Sequence, residues 1–462
     1  MPIAGSAPNL RRSSAPRMEG DSMTCSSCER ENRRDANYCD ACGMKLAAPM
    51  NGDGGIAGKT GPVDGIRVID WTAYQFGPVS TMMLADLGAE VIKVESLDGD
   101  PGRNTNRISQ LPSQLPAGVS AYFESLNRQK KSIALDLKNP KGVEVMYRLV
   151  AKSDVFVQNF RQGVAERLGL GYEDLVEHNP KIVYGAATGY GPKGPDSRKP
   201  AFALTGEARS GSLWWGGPDD DLPYNLGSIA DQMAGIMLSY GILGGLVARE
   251  RLGIGQKVDA SHLGGMMWLG GNRYGMALIT KNAPLRQTRA SARNPLWNYY
   301  KCKDGRWIAL SMNQTDRYMP LFCKAISRPH LAEDERFNNM AALLENSKEL
   351  IDILDDIFAT KTQGEWKKVL SEAEGIIWEL GQDVFDLPDD PQVIANNYIV
   401  DFDHPALGPS KWLQTPVGYS KMPLSTRKMA PAHGEHTAEV LIDMLGYDRD
   451  DIATLRDERV IL

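Results

Sequence analysis

The stretch GIRVIDWTAYQFGPVSTMMLADLGAEVIKVE, Gly65 to Glu95, constrains this chain most, because it spells strand, turn, helix and strand in one short span. Ile66 to Asp70 and Val91 to Val94 read as short buried strands, while Val79, Met82, Met83 and Leu87 recur at helical spacing before Gly88 ends the helix. The unit is βαβ. A dinucleotide site would need G-x-G-x-x-G at the first turn so that backbone could approach a pyrophosphate, yet the turn is Tyr74-Gln75-Phe76-Gly77-Pro78. Glu95 is therefore not read as a ribose-binding acid.

The alternation continues. Strand Ser132–Leu137, a helix from Pro140 carrying Val143, Met146, Leu149 and Val150, strand Asp154–Gln158, a helix around Val164–Leu175 and strand Lys181–Ala186 follow in turn. Repeated βα units predict an α/β fold with a doubly wound, mostly parallel sheet, Rossmann-like but without the dinucleotide fingerprint. Thr188 to Asn225 is dense in Gly and Pro and reads as loops. QMAGIMLSYGILGGLVARE, after Asp231, is apolar nearly all round and predicts a buried helix; its glycines and its length argue against a membrane span. WNYYKCKDGRWIALSM reads as a β-hairpin turning at Asp304-Gly305, with charged amphipathic helices after it through Leu370, hence a smaller α+β domain. The expected division is a disordered tail at 1–22, a cysteine module at 23–47, a linker at 48–62, a large domain at 63–260, a connection at 261–284, a small domain at 285–394 and a return to the large domain at 395–462.

Composition excludes several roles. A net charge of −6 gives no reason to expect a nucleic-acid partner, although a local basic groove for a phosphorylated cofactor is compatible with it. No run of 18 apolar residues appears. The first residues, MPIAGSAPNLRRSSAPRMEGDS, lack an apolar secretory core, and Glu19 and Asp21 weaken a transit-peptide reading, so a cytoplasmic location and no membrane partner are expected.

Four of the six cysteines crowd the amino end as CSSC, ten residues, then CDAC: Cys25, Cys28, Cys39 and Cys42. Two C-x-x-C knuckles so spaced can present four thiolates to one structural zinc with no open coordination position. A redox or disulfide pair is the competing reading. The module is too poor in apolar residues to fold without its ion. Cys302 and Cys323 read as ordinary semi-buried thiols.

From about Val63 to Leu462 the chain resembles the family III CoA-transferases. The words that carry the resemblance keep the family's order: GDPGR at Gly99–Arg103, KKSIALDLKNPKG at Lys130–Gly142, SDVFVQNFRQG at Ser153–Gly163, RLGLGYEDL at Arg167–Leu175, GSIAD at Gly227–Asp231, GIGQKVDAS at Gly253–Ser261 and GEHTAEVL at Gly434–Leu441. The resemblance implies that Asp231 is the catalytic carboxylate, although an Asp before an apolar helix is by itself more simply an N-cap. It implies CoA contacts from Asn159, Phe160, Leu135, Lys138 and Arg167, with Gln75 near the thioester. Core packing of Phe160 and a solvated strand end at Lys138 are the bland alternatives.

Departures accompany the match. Ser96 stands where many members carry Arg, leaving Arg103 or Arg107 to meet a CoA phosphate. Phe202-Ala203, followed by Glu207, replaces a His-Asp of the racemases and a Tyr-Asp or Tyr-Glu followed by Gln of the transferases, which disfavours two-base racemisation. Trp214-Trp215 adds large rings nearby, consistent with a bulky acyl group or with packing. The resemblance also implies an interlocked dimer, with itself or a related subunit, and the fused zinc module resembles that of the two-chain benzylsuccinate CoA-transferases of anaerobic toluene degradation. The rival expectation is a structural or regulatory subunit whose sibling does the chemistry.

Overall fold

The computed structural model describes residues 22–24, 31–33, 60–104, 115, 118–215, 227–283, 288–422, 424 and 428–462. Cys25, Cys28, Cys39, Cys42 and Arg107 lie outside the described residues, as do residues 1–21 of the tail and almost all of the linker. At the amino end, β1 (Ser22–Thr24) pairs antiparallel with β2 (Glu31–Arg33), and Cys25 and Cys28 fall in the sequence between them.

The main sheet is built from β3 (Arg67–Trp71), α1 (Phe76–Asp86), β4 (Glu90–Glu95), α2 (Ala121–Asn127), β5 (Lys130–Ala134), α3 (Pro140–Ala151) and β6 (Val155–Gln158). It continues through α4 (Val164–Arg167), α5 (Tyr172–His178), β7 (Val183–Thr188), α6 (Ala203–Ser210), α7 (Ile229–Leu252) and β8 (Gln256–Ser261). Its six strands lie in the order β5-β4-β3-β6-β7-β8 and every pairing is parallel. The chain thus winds one way from β3 to β5 and the other from β6 to β8. That reversal leaves a crevice beyond the carboxyl ends of β3 and β6, where open α/β sheets bind ligands.

Burial follows the pattern of strands covered on both faces. On one face Phe76, Leu84, Val68, Val157, Leu238 and Ile242 join α1 and α7 to the sheet. On the other, Ile92, Ile133, Met146, Leu149, Phe156 and Tyr184 pack with Leu441, Ile452 and Ile461 from the carboxyl-terminal segment. Gly235 lets α7 approach α1: a Cβ there would stand 2.7 Å from Val79 Cγ1 and 2.9 Å from the Phe76 carbonyl oxygen. By length and composition α7 is apolar enough to cross a membrane. Ala234, Leu238, Ile242 and Leu246 pack against the sheet, but Ile236, Tyr240, Val247 and Leu252 are exposed, so the helix expected to be buried is buried on one face only.

The structure departs from the pattern-based expectation, or adds to it, at these places of the main sheet. The helix expected around Val164–Leu175 is two short helices, because Gly169 takes a φ of 69° and its carbonyl accepts from Tyr147 Oη at 2.9 Å. The stretch read as loop after Thr188 contains α6. Polar QKVDAS forms strand β8, whose place at the sheet edge removes the need for a continuous apolar run. Strand β5 stops at Ala134 rather than Leu137, since Leu135 forms a single bridge with Ile461.

After α8 (His262–Leu269) and α9 (Gly271–Thr280), β9 (Trp297–Lys301) and β10 (Trp307–Ser311) form the expected hairpin, with Gly305 at a φ of 82°. A third antiparallel strand, β11 (Trp378–Gly381), joins β10, and Tyr300, Phe322, Phe358 and Trp366 centre a separate core formed with helices between Thr315 and Ser371. A last antiparallel pair, β12 (Ile399–His404) with β13 (Gly408–Leu413), precedes the carboxyl-terminal segment that returns to the main sheet.

Candidate active site

The loop after β3 is held from below by buried charge. Lys93, wholly buried, donates from Nζ to the Thr72 carbonyl at 2.8 Å and pairs with Asp100 at 2.8 Å. Asp100 in turn accepts from the Tyr74 backbone N–H at 3.3 Å. Beside them Lys130 pairs with Asp70 at 2.8 Å, both side chains fully buried. Burial alone would push the Asp70 carboxyl up, but Lys130 and Lys93 outweigh it and hold it at about 2; burial brings Lys130 down to about 8 against the pull of Asp70. Tyr74 sits on this platform at a φ of 64°, a strained conformation for a side chain of its size.

Above the platform, Asn159 joins the two loops of the switch point. Its Oδ1 accepts from the Ala73 N–H at 2.9 Å and its Nδ2 donates to the Ala73 carbonyl at 2.6 Å. Phe160 lies against Trp71 with ring centroids 4.3 Å apart, so it is both a packing residue and part of the cleft wall. Gln75, at the N-terminus of α1, reaches the Ser228 carbonyl with Nε2 at 3.5 Å.

Asp231 lies in the first turn of α7. The N-cap position belongs to Ser228, so the simple capping reading of Asp231 does not describe it. One of its oxygens, Oδ1, is 2.8 Å from His262 Nε2, and the Asp231 side chain keeps 17% of its surface exposed toward a cleft of about 270 Å³. Tyr74, Asn159, Phe160, Phe202 and His262 share that cleft. Glu207, wholly buried on α6, accepts from the Ala230 N–H at 3.2 Å; burial first, and Asp231 second, push its carboxyl up.

Asp231, Asn159 and Phe160 therefore gather at one cleft, while Gln75 does not line it and touches the Ser228 carbonyl beside it. The other sequence candidates lie elsewhere. Arg103 forks onto Glu95, with Nε and Nη2 each 2.7 Å from a carboxylate oxygen, and stacks 3.7 Å from the Phe123 centroid. Leu135 is buried just past the end of β5, while Lys138 and Arg167 are exposed outside the cleft. Trp215 packs on α9, its Nε1 3.2 Å from Tyr274 Oη. A larger cavity of about 1530 Å³ opens between the α1–β4 turn and residues 402–406 and 428–436, and neither Asp231 nor His262 lines it. Sequence reasoning missed His262; the only local signal was a histidine directly after Ser261, the N-cap of α8.

The model for CoA-transferase family III matches residues 63–437. The chain belongs to CoA-transferase family III. It is 34% identical over 401 residues to mouse succinyl-CoA:glutarate CoA-transferase, covering 87% of this chain and 90% of that protein. It is 33% identical over 405 residues to succinyl-CoA–D-citramalate CoA-transferase of Chloroflexus aurantiacus, covering 87% of this chain and 98% of that one. A crystal structure of a CAIB/BAIF family protein from Brucella suis has a TM-score of 0.74 at 28% identity, over 83% of this chain and 99% of that one. The protein is a CoA-transferase. The family match begins after the four amino-terminal cysteines.

Proposed function

We propose that this family III enzyme moves CoA between two carboxylic acids by covalent catalysis on Asp231. An Asp231 oxygen attacks the donor thioester, and the C–S bond breaks to leave a mixed anhydride and CoA thiolate. The thiolate then adds to the Asp231 carbonyl carbon, releasing the donor acid and leaving an aspartyl-CoA thioester, which the acceptor carboxylate reverses in two matching exchanges. The observation that carries this reading is a hydrogen-bonded, partly exposed carboxylate on the first turn of α7, facing the switch-point cleft. Asn159, Phe160 and Gln75 are the proposed CoA contacts. Arg103, Leu135, Lys138 and Arg167 could meet the nucleotide end only away from this cleft.

The proposed donor is succinyl-CoA, supported by the names of the mouse and Chloroflexus relatives. Benzylsuccinate remains the proposed acceptor, on the strength of the amino-terminal cysteine pattern alone. The functional particle is proposed to be an interlocked cytoplasmic dimer with a related subunit or a second copy. Support comes from the opening beside residues 402–406 and from exposed Tyr240, Val247, Trp268, Leu278 and Ile279 on α7, α8 and α9. A second reading, a subunit without chemistry of its own, draws on Phe202-Ala203 at a position where transferases present a polar pair.

Incubation with succinyl-CoA, followed by mass spectrometry of the Asp231 peptide after hydroxylamine or borohydride treatment, tests the reading. The expected result is modification at Asp231 and loss of transfer in Asp231→Asn, with CoA binding largely intact. Unchanged turnover in that variant would move the chemistry to a sibling chain.

A further inference from the structure

His262 is held with unusual care for a residue that no motif singled out. It is 6% exposed, follows β8 directly and begins α8, whose N-cap Ser261 accepts from the Gly264 N–H at 3.0 Å. Its ring lies 4.8 Å from that of Phe76. On its other side Gly206 must lack a side chain, because a Cβ there would stand 2.4 Å from His262 Cβ. Backbone, ring and glycine together aim Nε2 at Asp231 Oδ1, 2.8 Å away.

The second ring nitrogen fixes the proton. His262 Nδ1 is buried and has no hydrogen-bond partner among the described residues. A buried N–H without an acceptor costs more than an unused lone pair, and a carboxylate oxygen can only accept, so the proton sits on Nε2 and is donated to Asp231.

We propose that His262 is a catalytic residue of the transfer reaction, its Nε2–H serving Asp231 Oδ1 first as an orienting donor and then as an oxyanion donor. The inference rests on Asp231 as the acyl acceptor. With Oδ1 tied, Oδ2 attacks the donor carbonyl carbon and the C–S electrons leave with sulfur. Oδ1 is then the carbonyl oxygen of the aspartyl anhydride. When the thiolate adds to Asp231 Cγ, the C=O electron pair moves onto Oδ1, where the same Nε2–H meets the developing charge. Collapse restores the carbonyl and breaks the bond from Cγ to Oδ2, which departs with the donor acid. Attack of the acceptor on the thioester passes through the same oxyanion. No net proton is transferred, so a neutral donor suffices at each addition.

The test is exchange of label between succinyl-CoA and [14C]succinate by the full-length protein, with intact-mass analysis of adducts on Asp231. Loss of one such donor typically costs ~10²–10³-fold in kcat. His262→Leu should lose that much with KM for succinyl-CoA nearly unchanged, and the ratio of succinyl anhydride to CoA thioester on Asp231 should rise, because addition at Cγ loses its oxyanion donor whereas attack by Oδ2 loses only an orienting contact. His262→Gln, whose amide N–H can occupy the place of Nε2, should recover most of the loss. A merely structural role would lower both adducts together and would not be rescued by Gln. Wild-type exchange in His262→Leu, or a Gln variant as slow as Leu, would overturn the proposal. Absence of any adduct on Asp231 in the wild-type protein would instead refute the Asp231 reading, and this inference with it.

Discussion

Asn159 and Ala73 exchange two hydrogen bonds across the switch point of the sheet, binding the loop after β6 to the loop after β3. One side chain thus sets the spacing of the two loops from which Tyr74 and Phe160 line the cleft. Asn159→Ala removes both bonds and leaves the Ala73 N–H and C=O without them. The expected cost is about 1–3 kcal/mol of stability, measured by chemical denaturation. A fall in kcat/KM of about ten- to a hundredfold should accompany it, because displaced loops misplace the reacting groups. Retention of wild-type kcat/KM by a destabilised variant would separate this pair from the site.

The Glu95–Arg103 pair predicts acid sensitivity. Burial would push the Glu95 carboxyl up, yet Arg103 and Lys93 outweigh it and hold it at about 2 against an ordinary 4.5. Because the folded value is the lower one, the stabilisation is fully present above 4.5 and is lost as pH falls toward 2, on the order of 3 kcal/mol for the whole window. Arg103→Met should abolish this and cost about 3–5 kcal/mol at neutral pH, since a buried carboxylate is left unpaired. The measurement is the unfolding free energy of both proteins from pH 7 to pH 3. A variant that keeps its stability but loses CoA affinity would return Arg103 to the phosphate.

Glu207 predicts the opposite sign. Its folded value is raised above 4.5, chiefly by burial, so the unfolded chain ionises first and stability is lost as pH rises past 4.5. Glu207→Gln keeps an acceptor for the Ala230 N–H and removes the charge. The variant should therefore have a higher Tm than wild type at pH 8, with the difference vanishing below pH 4. Equal Tm values at pH 8 would mean that Glu207 is not strained by its burial.

Metal analysis bears on the amino-terminal module. The purified chain is expected to hold about one zinc ion, as four thiolates of this spacing bind a single tetrahedral ion. Replacing Cys25 and Cys28 with Ala should remove it, while transfer activity per folded protein changes little if the module serves only structure or docking. Zinc that survives the double replacement would place the metal elsewhere.

Local periodicity carried much of the architecture in the sequence. Short apolar runs alternating with a 3.6-residue pattern give β3, α1 and β4 and the units from β5 to β7, though not α2, and the Asp304-Gly305 turn gives the β9–β10 hairpin. Both signals lie within one element or one turn. The words around Asn159, Phe160 and Asp231 likewise picked out residues that converge on one cleft.

Tertiary structure alone decided what depends on distant partners. Strand order brings β6 beside β3, so Asn159 meets Ala73 although 86 residues separate them. The edge position of β8 makes a strand of a polar hexapeptide and delivers His262 to Asp231 across 31 residues. Arg103, one of two arginines that the resemblance offered to a phosphate, pairs with Glu95 because the loop between them folds back over the end of β4. Hydrophobic pattern reports which side of an element faces a core, whereas a hydrogen bond or ion pair between two elements depends on their register, and that is set only when the sheet and its crossovers pack.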